Sequence, residues 1–228
     1  MRSFIVVVLG LALSACEKEP PPPSPPSAEP PPPPPPKASA PSPSLPPLLD
    51  PKQAKAEAPA SYKAKLVTTK GDIVIEVTRA WAPRAADRFY NLVKLGYYNE
   101  QAFFRVVKDF VVQFGMHGDP KVTAAWREAY ISDEMVKESN KKGTVTFAKR
   151  GPDTRTVQIF INLKDNPDLD EDGFAAFGKV IAGMDVIAKL YSDYGEEPKQ
   201  PLILEKGNTY LKEQFPKLDY INTATIVE

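Results

Sequence analysis

Phe103-Phe104-Arg105-Val106-Val107-Lys108-Asp109-Phe110-Val111-Val112-Gln113-Phe114-Gly115 sets one arginine and one glutamine among apolar, strand-forming residues. Two β-rich runs, Phe103 to Val107 and Phe110 to Phe114, flank a Lys-Asp dipeptide suited to a turn, which predicts a tight antiparallel pair. Such a pair brings Arg105 and Gln113 to one place. Because side chains alternate faces along a strand, Phe103, Arg105 and Val107 are expected on one face and Phe104 and Val106 on the other. An arginine among aromatics reads either as the polar fixture of an apolar pocket or as an edge residue whose stem covers apolar neighbours while its head stays in solvent.

Outward from this pair, Ala64 to Thr69 and Ile73 to Val77 read as an opening hairpin joined through Lys70-Gly71-Asp72. Pro83 suits a helix start, Ala85, Phe89, Leu92 and Val93 follow at helical spacing, and Gly96 fits the stop. Further strands are expected at Thr144 to Ala148, Val157 to Asn162, Ala176 to Val180 and Tyr220 to Val227. A second helix is expected at Met184 to Tyr191 and a short helical turn at Tyr210 to Phe215. Antiparallel strands with two helices at separated points suggest a closed or nearly closed barrel capped by helices. There is no Gly-rich phosphate loop, no Ser-His-Asp order and no repeat at solenoid spacing.

The front end has a different character. Arg2 precedes an apolar run, Phe4 to Leu13, that is too short to span a bilayer and fits an export signal. It ends in Leu13-Ser14-Ala15-Cys16, which resembles a bacterial lipobox with the only cysteine at the lipidated position. Acyl chains on Cys16 would anchor the chain to a membrane at about 0.8 kcal/mol per buried CH₂. An ordinary signal peptide with an incidental cysteine is the alternative. Of 26 prolines, 19 lie between Pro20 and Pro59, so that segment cannot build a core and favours extended polyproline II. The expected division is a signal peptide over 1–15, a lipidated proline-rich linker over 16–60 and one folded domain over 61–228. The linker reads as a spacer, with partner binding through its prolines as the alternative.

Lys plus Arg and Asp plus Glu both number 29, so no global basic field draws nucleic acid. One histidine and one cysteine exclude Cys/His zinc clusters and a disulfide framework within the chain. His117, among Gly115, Gly118 and Asp119, reads as a loop residue. No metal or organic cofactor is expected, and the domain is taken as a monomer.

Five motifs in order resemble the cyclophilin family of peptidyl-prolyl isomerases over most of residues 62 to 192. Phe103 to Val107 is similar to the family's Phe-His-Arg strand, and Asp109 to Gly115 to its Gly-Phe-x-x-Gln-Gly-Gly strand. Gly143 to Ala148 with Gly151-Pro152-Asp153-Thr154 matches the stretch ending Gly-Pro-Asn-Thr; Gln158 to Ile161 matches Gln-Phe-Phe-Ile, and Phe177 to Met184 matches Phe-Gly-x-Val-x-x-Gly-Met. The resemblance implies a mainly β fold, an eight-stranded antiparallel barrel capped by two helices, and proline-containing polypeptides as substrates.

Rotation about a peptide bond must break its resonance against a barrier of about 18 to 20 kcal/mol. By resemblance, Arg105 is the donor near the proline nitrogen and the substrate carbonyl, and Gln113 orients it. Phe110, Val111 and Phe160 form the proline slot, while Ala148 and Lys149 contact substrate. Val111 stands where the best-known eukaryotic pattern has methionine, Leu169 nearest its tryptophan and Phe174 nearest its histidine. All three stay apolar, so the slot persists with altered shape, and loss of the indole N–H counts against tight cyclosporin binding. Arg150 and Arg155 either bias the pocket toward acidic substrates or form a solvated basic rim. The expected function is isomerisation of X-Pro bonds in exported or envelope proteins, on a lipid-anchored domain in the periplasm. The rivals are a membrane-tethered proline-peptide-binding or chaperone module without useful turnover, and a spacer whose proline-rich segment is the functional part.

Overall fold

The computed structural model describes residues 46–227; the lipobox tetrad and the proline clusters up to Pro43 lie outside the described residues. β1 (Ser61–Thr68) and β2 (Gly71–Thr78) form the opening hairpin in register from Ser61 opposite Thr78 to Thr68 opposite Gly71. Their alternation sends Tyr62, Ala64, Leu66, Ile73, Ile75 and Val77 into the core, as a strand period of two requires. β3 (Gln101–Ala102), β4 (Arg105–Val107), β5 (Val111–Phe114), β6 (Thr144–Phe147), β7 (Ile159–Asn162), β8 (Ala176–Ala182) and β9 (Tyr220–Val227) complete one antiparallel sheet. Its order is β3-β9-β1-β2-β8-β6-β7-β5-β4.

That order explains the curl. β3 and β4 stand at opposite ends of the sheet, yet only Phe103 and Phe104 separate them in the chain. A chain advances at most about 3.6 Å per residue, so the sheet must wrap until its edges come within a few residues of each other. Among the described residues nine strands are present where eight were expected; counting Gln101 to Val107 as one interrupted strand reconciles the two. The interruption also corrects the expected facing of side chains. Phe103 and Val106 both enter the main core, whereas Phe104 joins a second apolar cluster, because the irregular pair shifts the alternation between β3 and β4.

α1 (Pro83–Lys94) lays Ala85, Ala86, Phe89, Leu92 and Val93 on the core. Its N-cap residue, Ala82, has no side chain able to cap, and the carboxylate of Glu134 does so from a distant loop, accepting from the Arg84 N–H at 2.7 Å and the Ala85 N–H at 3.1 Å. The expected second helix is shorter than its pattern. α4 covers Met184–Ile187, after which the Lys189 and Leu190 amides bond three residues back and tighten the chain out of α geometry. α2 (Pro120–Trp126), α3 (Asp168–Glu171), α5 (Gln200–Lys206) and α6 (Asn208–Gln214) add to the two helices expected, α6 over the region read as a short turn. α5 and α6 bury Ile203, Tyr210, Leu211 and Phe215 against Ala102, Phe104 and Met116 in the second cluster.

The domain boundary at Ser61 is also corrected. Leu48, Leu49 and Ala54 pack on the main core, the Trp126 indole N–H donates to the Leu48 carbonyl at 2.8 Å, and the Asn91 amide holds Ala56 from both sides. The folded part therefore reaches back at least to Leu48, because two leucines and a row of backbone partners offset the ordering of a segment that composition alone assigns to the linker.

Candidate active site

The β4–β5 hairpin turns through Lys108, Asp109 and Phe110, so Phe110 leaves the strand expected to begin with it, and Asp109 sits at φ 56°, a left-handed conformation that Asp tolerates better than most residues. The resulting register sets Arg105 opposite Gln113, Val106 opposite Val112 and Val107 opposite Val111. Arg105 donates through a terminal nitrogen to Gln113 Oε1 at 3.1 Å. Gln113 is buried, and its amide nitrogen donates to Gln158 Oε1 at 2.8 Å. Gly115, at φ 110°, makes this approach possible: a Cβ there would lie 2.5 Å from the Val157 carbonyl oxygen and 2.6 Å from the Gln158 Cα.

These groups open onto a cleft of about 450 Å³. All nine residues read from the sequence as contacting substrate line it: Arg105, Phe110, Val111, Gln113, Ala148, Lys149, Phe160, Leu169 and Phe174. The apolar part is built from three elements, with Val111 on β5, Phe160 on β7 and Leu169 on α3. Phe160 and Phe174 meet edge to face at 5.8 Å, and the Arg105 guanidinium carbon stands 5.6 Å from the Phe110 ring centre. The cleft thus joins a donor with several N–H groups to an apolar slot. Among the described residues no group of three His, Cys, Asp or Glu side chains is placed to hold a metal ion.

The basic residues separate into three kinds. Arg150 lines the cleft and is exposed. Lys149 stands 5.3 Å from the Phe174 ring centre and is neutralised by Asp133 at 3.0 Å. Burial alone would raise the Asp133 carboxyl; its hydrogen bonds and the charges of Lys149 and Arg155 together outweigh it and hold its pKa below the ordinary range. Arg155 does not reach the cleft, contrary to the reading of a basic rim or selector. It is 2% exposed and ion-paired with Glu134 at 3.0 Å and Asp133 at 3.3 Å, since a cation so deep must find carboxylates. His117 is also apart from the cleft: its ring packs on Tyr97 and its Nδ1 accepts from the Asp119 N–H at 2.9 Å. Burial lowers its pKa.

The sequence reading missed Glu196, Gln158, Gln200, Thr154 and Thr156, which line the same cleft. Glu196 accepts from Arg105 Nε at 2.7 Å and forms an ion pair with a terminal nitrogen at 2.5 Å. Nothing local in Gly195-Glu196-Glu197-Pro198 signals this, because the pair joins residues 91 positions apart. Gln158 stood inside a quoted motif, two positions before Phe160, and alternation along a strand could have placed it on the same face.

Comparison with known proteins gives consistent findings. The family model for cyclophilin type peptidyl-prolyl cis-trans isomerase/CLD matches residues 63–208. A peptidyl-prolyl cis-trans isomerase of Acinetobacter baylyi is 36% identical over 162 residues, covering 64% of this chain and 85% of the relative. Another from Streptomyces antibioticus is 34% identical over 159 residues, covering 63% and 95%. The crystal structure of a Cryptosporidium parvum cyclophilin type isomerase is similar in fold, with TM-score 0.57 at 24% identity over 74% of this chain and 98% of that one. A structure of that protein in the presence of the dipeptide Ala-Pro aligns with TM-score 0.56.

Proposed function

This chain belongs to the cyclophilin-type peptidyl-prolyl cis-trans isomerase family, and from that premise we propose that Arg105 and Gln113 drive rotation of X-Pro bonds in exported or envelope polypeptides. The observation that carries the reading is the cross-strand Arg105–Gln113 pair at the edge of the apolar slot. In the twisted state the proline nitrogen recovers a lone pair and accepts from the guanidinium, an interaction that the planar ground state does not offer. Only such differential binding lowers the barrier. Gln113 holds the guanidinium in place, while Phe110, Val111, Phe160, Leu169 and Phe174 take the pyrrolidine ring and its neighbours.

Turnover is tested on the purified full chain by NMR exchange of an X-Pro peptide, without a coupled protease. Accelerated exchange supports the enzyme; peptide binding without acceleration assigns the cleft to a proline-peptide-binding module instead. Pocket shape gives an independent test. Leu169 lines the cleft without an indole donor, so cyclosporin A is expected to inhibit weakly and Leu169→Trp to strengthen inhibition. Tight inhibition of the native chain would overturn this account of the wall.

The envelope location rests on the sequence Leu13-Ser14-Ala15-Cys16 behind an apolar run. Diacylation of Cys16 would hold the chain on a membrane, with the proline-rich segment as spacer and proline-bearing envelope proteins as clients. Mass spectrometry of the mature chain is expected to show an acylated N-terminal Cys16 peptide, lost in Cys16→Ala together with membrane partitioning. An unmodified Cys16 in a freely partitioning chain would remove the anchor.

A further inference from the structure

Glu196 and Gln200, four residues apart at the entry to α5, stand at the two ends of one row of polar side chains. Arg105 fixes the direction of that row. A guanidinium only donates, so Gln113 turns its oxygen to Arg105 at 3.1 Å. Its amide nitrogen then donates to Gln158 at 2.8 Å, and Gln158 donates to Gln200 at 3.3 Å. On its other edge Arg105 donates Nε–H to Glu196 Oε1 at 2.7 Å and sets a terminal nitrogen in an ion pair with the same oxygen at 2.5 Å. Resting on the assignment of Arg105 above, we infer that Glu196 is a positioning residue: its carboxylate fixes the guanidinium plane and presents the unused donors to the prolyl peptide.

A count of donors decides between positioning and masking. The guanidinium has five N–H groups. One terminal nitrogen gives one to Gln113 and Nε gives its one to Glu196, while the other terminal nitrogen faces the same carboxylate oxygen in an ion pair and commits one more. One N–H remains on each terminal nitrogen, enough for a carbonyl oxygen and a developing lone pair. A carboxylate that competed with substrate would occupy those two.

The segment carrying Glu196 is itself held. Tyr194 packs on Tyr191 at 4.8 Å and on Phe215 at 5.1 Å, the Glu197 N–H donates to the Tyr194 carbonyl at 2.8 Å, and the Lys199 N–H donates to the Tyr210 hydroxyl at 3.2 Å. Isolated exposed ion pairs contribute little to stability, so the weight of this contact lies in the direction it gives the guanidinium, with two nitrogens converging on one carboxylate oxygen of a packed support. Glu196 is 64% exposed and Arg105 25%, so the contact joins a solvent-facing carboxylate to a half-buried guanidinium.

The test replaces Glu196 in the full chain and reads exchange kinetics beside the NMR signal of the Arg105 Nε–H. Glu196→Ala is expected to lower kcat about tenfold with KM nearly unchanged, the signature of an interaction made in the transition state. The Nε–H signal is expected to move and broaden as the guanidinium is released. Glu196→Gln retains an acceptor and is expected to fall between the two. The Arg105→Ala, Glu196→Ala double variant is expected to be no slower than Arg105→Ala alone, because Glu196 acts through Arg105. Unchanged or faster turnover in Glu196→Ala, or additive losses in the double variant, would overturn the inference. A native chain without turnover would overturn the Arg105 assignment instead; the Nε–H signal then decides Glu196 alone, and its failure to respond to Glu196→Ala rejects the contact.

Discussion

Arg105→Ala is expected to lower kcat/KM by about 100-fold or more, the loss typical when one preorganised donor is removed from a site of developing charge or lone-pair density. Affinity for a prolyl peptide is expected to change far less, because ground-state contact comes mainly from the slot of Val111, Phe160, Leu169 and Phe174. A parallel fall in kcat and kcat/KM, measured by NMR exchange with peptide affinity followed separately, distinguishes transition-state loss from binding loss. Arg105→Lys is expected to recover little. An ammonium is a compact charge without a planar fork, so it cannot serve Gln113, Glu196 and the substrate in fixed directions at once. Equal turnover in a folded Arg105→Ala chain would remove Arg105 from the mechanism, leaving the slot as a binding surface.

The hairpin that carries Arg105 was legible because two local signals agree: β-rich runs of matched length and a turn dipeptide between them. Its exact register was not: a two-residue turn at Lys108-Asp109 would set Arg105 opposite Val112, and Phe110 joins the turn instead of the strand, which brings Gln113 opposite Arg105. Phe103 defeated the same reasoning, since its facing depends on a break in the strand that exists only because the sheet must close there. Glu196 and Gln200 were hidden for a related reason. Their partners come from strands far away in sequence, and the segment placing them is held by the second apolar cluster, which has no periodic trace around residue 196. The front boundary failed in the opposite way: proline content marked Pro46 to Ala60 as linker, while Leu48, Leu49 and Asn91 decide that it packs. Local chemistry thus foretold the groups on the short hairpin, and tertiary packing supplied those that orient them.

Arg155 was read, with Arg150, either as biasing the pocket toward acidic substrates or as part of a solvated basic rim, and the structure instead makes it the basis of the largest expected stability effect. Glu134→Ala is expected to destabilise the full chain by about 3 kcal/mol or more in equilibrium denaturation, a large share of the roughly 5–15 kcal/mol that holds a domain folded. Two losses combine. Glu134 Oε2 pairs with Arg155 at 3.0 Å, so its removal leaves a cation that is 2% exposed with Asp133 alone, at 3.3 Å and itself shared with Lys149. The same side chain caps α1 through Arg84 and Ala85, and loss of a cap typically costs about 1 kcal/mol. Glu134→Gln is no conservative repair, because one of its two ends would turn an N–H toward a donor. Adding Arg155→Met to Glu134→Ala separates the contributions: the stranded charge disappears while the cap stays lost, so the double variant is expected to be more stable than Glu134→Ala alone. If Arg155→Met instead deepens the loss, the stranded charge is not the source of the effect and the cap must account for it.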